Sequence, residues 1–163
     1  MTYKETRATP ARIAVYGSSY GGFAALSCLS RLPDLWAAGV SAYGPSNLEH
    51  LVRAVPPTWR ALMGDMIGDP ERDADMLRAH SPVTYAGQIT APVFILQGTQ
   101  DPRVPRAESD QIVEKLRANG VDVRYDVYED EGHGFTSRDN EMKALSDIAG
   151  FLSEQLRQVT VAK

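Results

Sequence analysis

The sequence predicts an α/β fold: a parallel sheet of about four strands flanked by helices. Three observations predict it. Short apolar runs recur along the chain, and each is followed by a segment with helical spacing. Three of the four runs stop at glycine, a residue that breaks regular structure. The composition is that of an ordinary globular chain, with 163 residues, 43% hydrophobic and 23% charged. That length buries a real core and argues for one domain over residues 1–163.

The elements follow in order. Arg12–Tyr16 is a mostly apolar run that meets Gly17 abruptly and reads as a buried strand. Gly22–Arg31 carries Phe23, Ala24, Ala25, Leu26, Cys28 and Leu29 at helical positions, and Pro33 closes it. Trp36–Tyr43 reads as a second buried strand, ended by Gly44 and Pro45. Residues 46–80 are more polar and predict short helices without a strand, either a wall above a site or a plain connection. Within them Asp69 and Pro70 predict a helix entry, with Asp69 as N-cap and Pro70 at the first helical position. Ala91–Gly98 is the best strand in the chain. Pro105–Asn119 places Ile112, Val113 and Leu116 at helical spacing before a stop at Gly120. Val121–Tyr128 alternates Val121, Val123, Tyr125 and Val127 as a fourth strand. Asn140–Leu156 is an amphipathic helix through Met142, Leu145, Ile148, Leu152 and Leu156.

Charge and composition exclude several classes. Lys plus Arg is 17 against 21 for Asp plus Glu, a net charge of −4. No basic excess is present to serve a nucleic acid. The single cysteine, Cys28, makes no internal disulfide and no multi-cysteine zinc site. No cofactor and no metal are expected. No apolar segment is long enough to span a bilayer, and Met1–Arg12 lacks the apolar stretch of a leader. A cytoplasmic protein is the expectation.

The chemistry concentrates at strand ends, where the sites of such sheets lie. Gly17-Ser18-Ser19-Tyr20-Gly21 fits the G-x-S-x-G pattern of a nucleophile elbow. A sharp strand-to-helix turn needs small flanking residues, lifts the serine Oγ above the sheet and aims a helix N-terminus at it. The next amide, Tyr20, can then donate to an oxyanion. The other account of Ser19 is an ordinary residue in a glycine-rich turn. A phosphate loop fits poorly, because the Walker lysine and the G-x-G-x-x-G spacing are missing.

A nucleophilic serine needs a base, and the base an orienting acid. The chain has three histidines. His50 lies in the polar middle segment, and His80 precedes Ser81-Pro82. His133, in Glu131-Gly132-His133-Gly134-Phe135, stands just past the fourth strand with glycine on each side. For the acid, Asp101 follows the third strand. Asp126, Asp110 and Asp130 compete with it, and Asp130 is the serious rival. The order Ser19, Asp101, His133 is the one the α/β-hydrolase elbow family uses.

Taken together, Gly17–Phe23, Ser81-Pro82, Ala91–Gly98, Asp101–Pro105 and Glu131–Phe135 resemble the prolyl oligopeptidase family of serine peptidases, closest to its acylaminoacyl-peptidase-like and dipeptidyl-peptidase-like members. The resemblance runs from about Arg12 to Leu156. It implies a partial α/β-hydrolase domain with a triad of Ser19, Asp101 and His133, the Tyr20 amide in the oxyanion hole, and a peptide or small ester as substrate. Gln97 stands where family members commonly carry histidine. Members also carry an upstream β-propeller, further strands before the elbow strand, and a loop giving a second oxyanion donor. The expectation is therefore a truncated domain with an open sheet edge. A homo-oligomer or a missing N-terminal portion would cover that edge, with the polar tail Met1–Pro10 as the alternative cover. A weakly active or non-catalytic segment that needs a partner to complete the oxyanion hole is the competing functional reading.

Overall fold

The computed structural model describes residues 12–157. Four strands make one parallel sheet in the order β1-β2-β3-β4: β1 Ala14–Ser18, β2 Ala38–Ala42, β3 Val93–Gly98 and β4 Val123–Tyr128. Val15 lies opposite Gly39, Val40 opposite Phe94, and Ile95 opposite Tyr125. Spatial order follows chain order, so each strand is joined to its neighbour by a helical crossover, as parallel pairing requires. The inner strands β2 and β3 are buried along their whole length. That is why they read as unbroken apolar runs and not as alternation.

Helices cover the two faces. On one face, α1 (Tyr20–Arg31) and α5 (Ala107–Ala118) set Leu26, Leu29, Ile112, Val113 and Leu116 against Val93 and Ile95. A 3-10 stretch, Pro82–Gln88, adds Val83 and Ala86 to that cluster. On the other face, α6 (Arg138–Arg157) sets Ala144, Ile148 and Phe151 against Val40, Phe94 and Leu96. The rings of Phe94 and Phe151 are 5.6 Å apart. Full burial of each such side chain is worth about 1.5–3 kcal/mol. Helix α6 packs on β2 and β3, and on β1 Tyr16 stays 51% exposed. Among the described residues β1 pairs only with β2; the tail Met1–Pro10 lies outside those residues.

Between β2 and β3 run α2 (Leu48–Ala54), α3 (Pro57–Met66) and α4 (Ala74–His80). Leu48, Leu51 and Leu77 join Val104 in a third apolar cluster. A buried carboxylate fixes the start of α2. Glu108, fully buried on α5, accepts the amides of Ser46 at 2.9 Å and Asn47 at 2.7 Å and pairs with Nδ1 of His50. His50 is therefore engaged in holding two helices together.

The helix entry expected at Asp69-Pro70 is not there. Asp69 accepts the amides of Glu71 and Arg72 at 2.8 and 3.0 Å, which closes a turn. Helix α4 begins only at Ala74, with Asp73 in the capping position. Pro33 likewise does more than stop α1, because it opens a short 3-10 helix, Pro33–Leu35.

Candidate active site

Ser19 sits at the junction of β1 and α1 with φ 56° and ψ −122°. Holding a non-glycine residue there costs about 1–3 kcal/mol, so the surroundings must enforce it. They do so in two ways. A Cβ on Gly17 would lie 2.1 Å from the Gly21 carbonyl oxygen, so only glycine permits the tight approach. The Ser19 amide donates to the Ala42 carbonyl at 2.9 Å, which ties the turn to the end of β2.

The turn brings Ser19 Oγ 2.7 Å from His133 Nε2. His133 is carried by the loop between β4 and α6. Its Nδ1 lies 2.7 Å from Asp101 Oδ2. The Asp101 side chain is fully buried and that of His133 only 11% exposed. Asp101 follows β3, and its other oxygen accepts the amides of Arg103 at 2.8 Å and Val104 at 2.9 Å. A carboxylate with its acceptor sites so engaged takes the N–H of Nδ1. This tautomer leaves Nε2 as the acceptor for the serine hydroxyl.

The remaining candidates lie elsewhere. His80 is exposed, with Nδ1 2.8 Å from the Met76 carbonyl. Asp126 is bonded to Arg124 at 2.6 Å. Asp110 accepts from the Tyr125 hydroxyl at 2.8 Å, and Asp130 is exposed. The structure thus gathers Ser19, Asp101 and His133, and leaves the other histidines and acids outside that chain of hydrogen bonds. Tyr20 is the first residue of α1. Amides in a first helical turn lack an intrahelical carbonyl partner, and the positive end of the helix lies beside Ser19.

A cavity of about 570 Å³ opens beside Ser19 and His133. Its walls are mostly apolar and include Phe23, Leu48, Leu51, Val55, Trp59 and Met63. Polar segment 46–80 therefore supplies a wall of the cavity through the inward sides of its short helices. Among the described residues no cluster of three or more His, Cys, Asp or Glu side chains is placed to hold a metal ion. No helix among them is long and apolar enough to cross a membrane.

Two supporting side chains escape a reading of the sequence. Gln97 is buried on β3; its Nε2 donates to Val104 O at 3.1 Å and reaches Asp101 Oδ2 at 3.4 Å, while its Oε1 accepts from Ser109 Oγ at 2.8 Å. The sequence signal was a lone glutamine near the end of an apolar strand, at the position where the family commonly carries histidine. Glu131 is also buried. The signal for it was a cluster of donors just downstream, Thr136, Ser137 and Asn140.

A parallel sheet with helices on both faces and a serine on a strained strand-to-helix turn defines an α/β-hydrolase-type core. The family model described as the prolyl oligopeptidase family matches residues 1–159, and the chain belongs to that family. It is 42% identical over 158 residues to dipeptidyl aminopeptidase BIII of Pseudoxanthomonas mexicana, covering 94% of this chain and 23% of that one. It is 40% identical over 155 residues to dipeptidyl peptidase family member 6 of Caenorhabditis elegans, covering 91% of this chain and 21% of that protein. Among solved structures, a puromycin-hydrolyzing peptidase of Mycobacterium tuberculosis superposes with a TM-score of 0.84 at 28% identity, over 90% of this chain and 22% of that one. The uncomplexed acylaminoacyl peptidase of Pyrococcus horikoshii gives 0.84 at 25% identity, over 94% and 26%. The chain thus spans about a quarter or less of the length of these relatives.

Proposed function

We propose that this chain carries the hydrolytic site of a serine peptidase that works through an acyl-enzyme. Ser19 Oγ attacks the substrate carbonyl carbon and its proton passes to His133 Nε2. Asp101 holds the Nδ1–H tautomer and stabilises the imidazolium that forms. The amide of Tyr20 donates to the oxyanion. Collapse breaks the bond to the leaving amine or alkoxide, which takes the proton from Nε2. Water then attacks the acyl-serine ester and gives its proton to the same nitrogen; collapse breaks the ester bond, releases the acid, and returns that proton from Nε2 to Ser19 Oγ.

One observation carries the reading: the continuous hydrogen bonds from Ser19 Oγ through His133 to buried Asp101, 2.7 Å at each step. The apolar cavity beside Ser19 favours a substrate with a large apolar side chain next to the scissile carbonyl. Relatives named as dipeptidyl and acylaminoacyl peptidases favour a peptide over a simple ester. The competing reading, a segment inactive without a partner, has less support, because the hydrogen bonds around Ser19 are formed within the chain itself. The test is hydrolysis of a p-nitrophenyl ester and a p-nitroanilide with the same apolar acyl group. Wild type is expected to release p-nitrophenol, and Ser19→Ala is expected to release none above background. Equal turnover by the two proteins would refute the reading.

A further inference from the structure

The loop that carries His133 is held by an acid other than Asp101. Glu131 is fully buried two residues before His133. Its carboxylate accepts four hydrogen bonds from residues that follow the histidine. The amide and hydroxyl of Thr136 approach at 2.7 and 2.8 Å, the amide of Ser137 at 3.1 Å, and Nδ2 of Asn140 at 2.7 Å. Residues 131–137 are thereby closed into a ring with His133 inside it. Asn140 lies in the first turn of α6, so the ring is anchored to a helix packed on the sheet.

The backbone of Glu131 makes a second attachment, to the loop that carries Asp101. Its carbonyl accepts the Gln100 amide at 2.9 Å. Gly98 makes that approach possible, since a Cβ there would lie 2.3 Å from the Glu131 carbonyl oxygen. Burial of a carboxylate normally opposes its charge. Here the hydrogen bonds prevail, and those from Thr136 and Asn140 hold the Glu131 carboxyl well below the ordinary range, at about 2. The group is a fixed anion at any working pH, and so a constant acceptor.

We propose that Glu131 is a positioning residue for His133: by closing loop 131–137 on itself and docking it on the Gln100 turn, it sets where Nε2 meets Ser19 Oγ and where Nδ1 meets Asp101. This rests on the reading of His133 as the base. A simple helix cap would do less, because it would stabilise the start of α6 without fixing the imidazole. A displacement of about 1 Å in such a site costs on the order of 10²-fold in rate.

The experiment compares Glu131→Gln with Asp130→Asn, the neighbouring exposed carboxylate, in the full chain. Glutamine keeps the size but turns one acceptor into a donor facing other donors. The expected result is a fall in kcat on the order of 10²-fold with KM nearly unchanged, and a fall of less than about threefold for Asp130→Asn. The second readout is the downfield proton resonance of His133 Nδ1–H bonded to Asp101. It should vanish or broaden in Glu131→Gln and persist in Asp130→Asn. If Glu131→Gln fails to fold, Asn140→Ala and Thr136→Val each remove one donor and carry the test, with smaller losses of kcat and a shifted resonance expected. Lower melting temperature with kcat and the resonance unchanged would reduce Glu131 to a helix cap and overturn the proposal. The resonance can also be read in Ser19→Ala, which does not turn over. Failure of the hydrolase reading is therefore separable from failure of this one.

Discussion

The ring of Tyr43 stands edge-on to the imidazole of His133, with centroids 4.9 Å apart and planes at 61°. Tyr43 and Ser19 are the two non-glycine residues with positive φ among those described, at 41° and 56°. Both sit at carboxyl ends of adjacent strands, and both touch the same histidine. Backbone strain of this kind persists where the surroundings over-determine it.

That contact predicts a specific pair of results. Tyr43→Phe keeps the ring and should leave kcat within about twofold of wild type. Tyr43→Ala removes the edge contact and should lower kcat by about tenfold, since an aromatic pair of this geometry is worth about 0.5–1.5 kcal/mol. Steady-state kinetics on one ester substrate measures both. Equal activity of the alanine variant would show that His133 is held without Tyr43.

Asp101→Asn is expected to lower turnover far more than Asp130→Asn. Asp101 reaches His133 Nδ1 at 2.7 Å, and Asp130 is exposed. An orienting carboxylate in a complete triad is worth about 10⁴-fold. Comparable losses at the two positions, measured by single-substrate kinetics, would remove Asp101 from the acid role.

Trp59 forms part of the apolar cavity and is 42% exposed, so its removal spares the core. Trp59→Ala should lower kcat/KM for substrates with a bulky apolar residue by roughly 10-fold or more, the range for lost apolar contact in a pocket. Substrates with glycine at that position should change little. A uniform loss across both would place the apolar side chain elsewhere.

Glu131 also predicts an acid dependence. Its folded carboxyl titrates near 2, against 4.5 for the free group. A depressed folded value gives stability that is present in full above the unfolded value and lost as pH falls towards the folded one. The wild-type melting temperature should therefore drop between about pH 5 and pH 2, and the drop should be shallower in Glu131→Gln. Parallel curves for the two proteins would contradict this.

Removal of Gln97 should be felt mainly in stability. Gln97→Leu leaves Ser109 Oγ and Val104 O without their buried partner. The expected cost is about 1–3 kcal/mol, read from denaturant unfolding.

Much of this was legible in the residues, for physical reasons that differ by element. The inner strands β2 and β3 are buried on both faces, so their apolar runs announced them. The elbow was legible because a tight strand-to-helix turn admits few residue types beside Ser19. Asp69-Pro70 misled because an Asp-Pro pair serves a turn as well as a helix start; the Asp69 carboxylate is consumed by the amides of Glu71 and Arg72. The acid partner of His133 was not decidable from local sequence. Asp130 is nearer in the chain, and only the pairing of β3 with β4 carries Asp101 to the imidazole. Gln97 and Glu131 were hidden for a related reason: their partners come together only in the folded sheet and loop.

The central claim is that Ser19 is the nucleophile, activated by His133. Its most direct test is labelling with a fluorophosphonate probe, followed by intact-mass measurement and peptide mapping. The account predicts one adduct per chain, on the peptide containing Ser19, abolished in Ser19→Ala and strongly slowed in His133→Ala. An adduct on another serine, or labelling of Ser19→Ala at the wild-type rate, would contradict it.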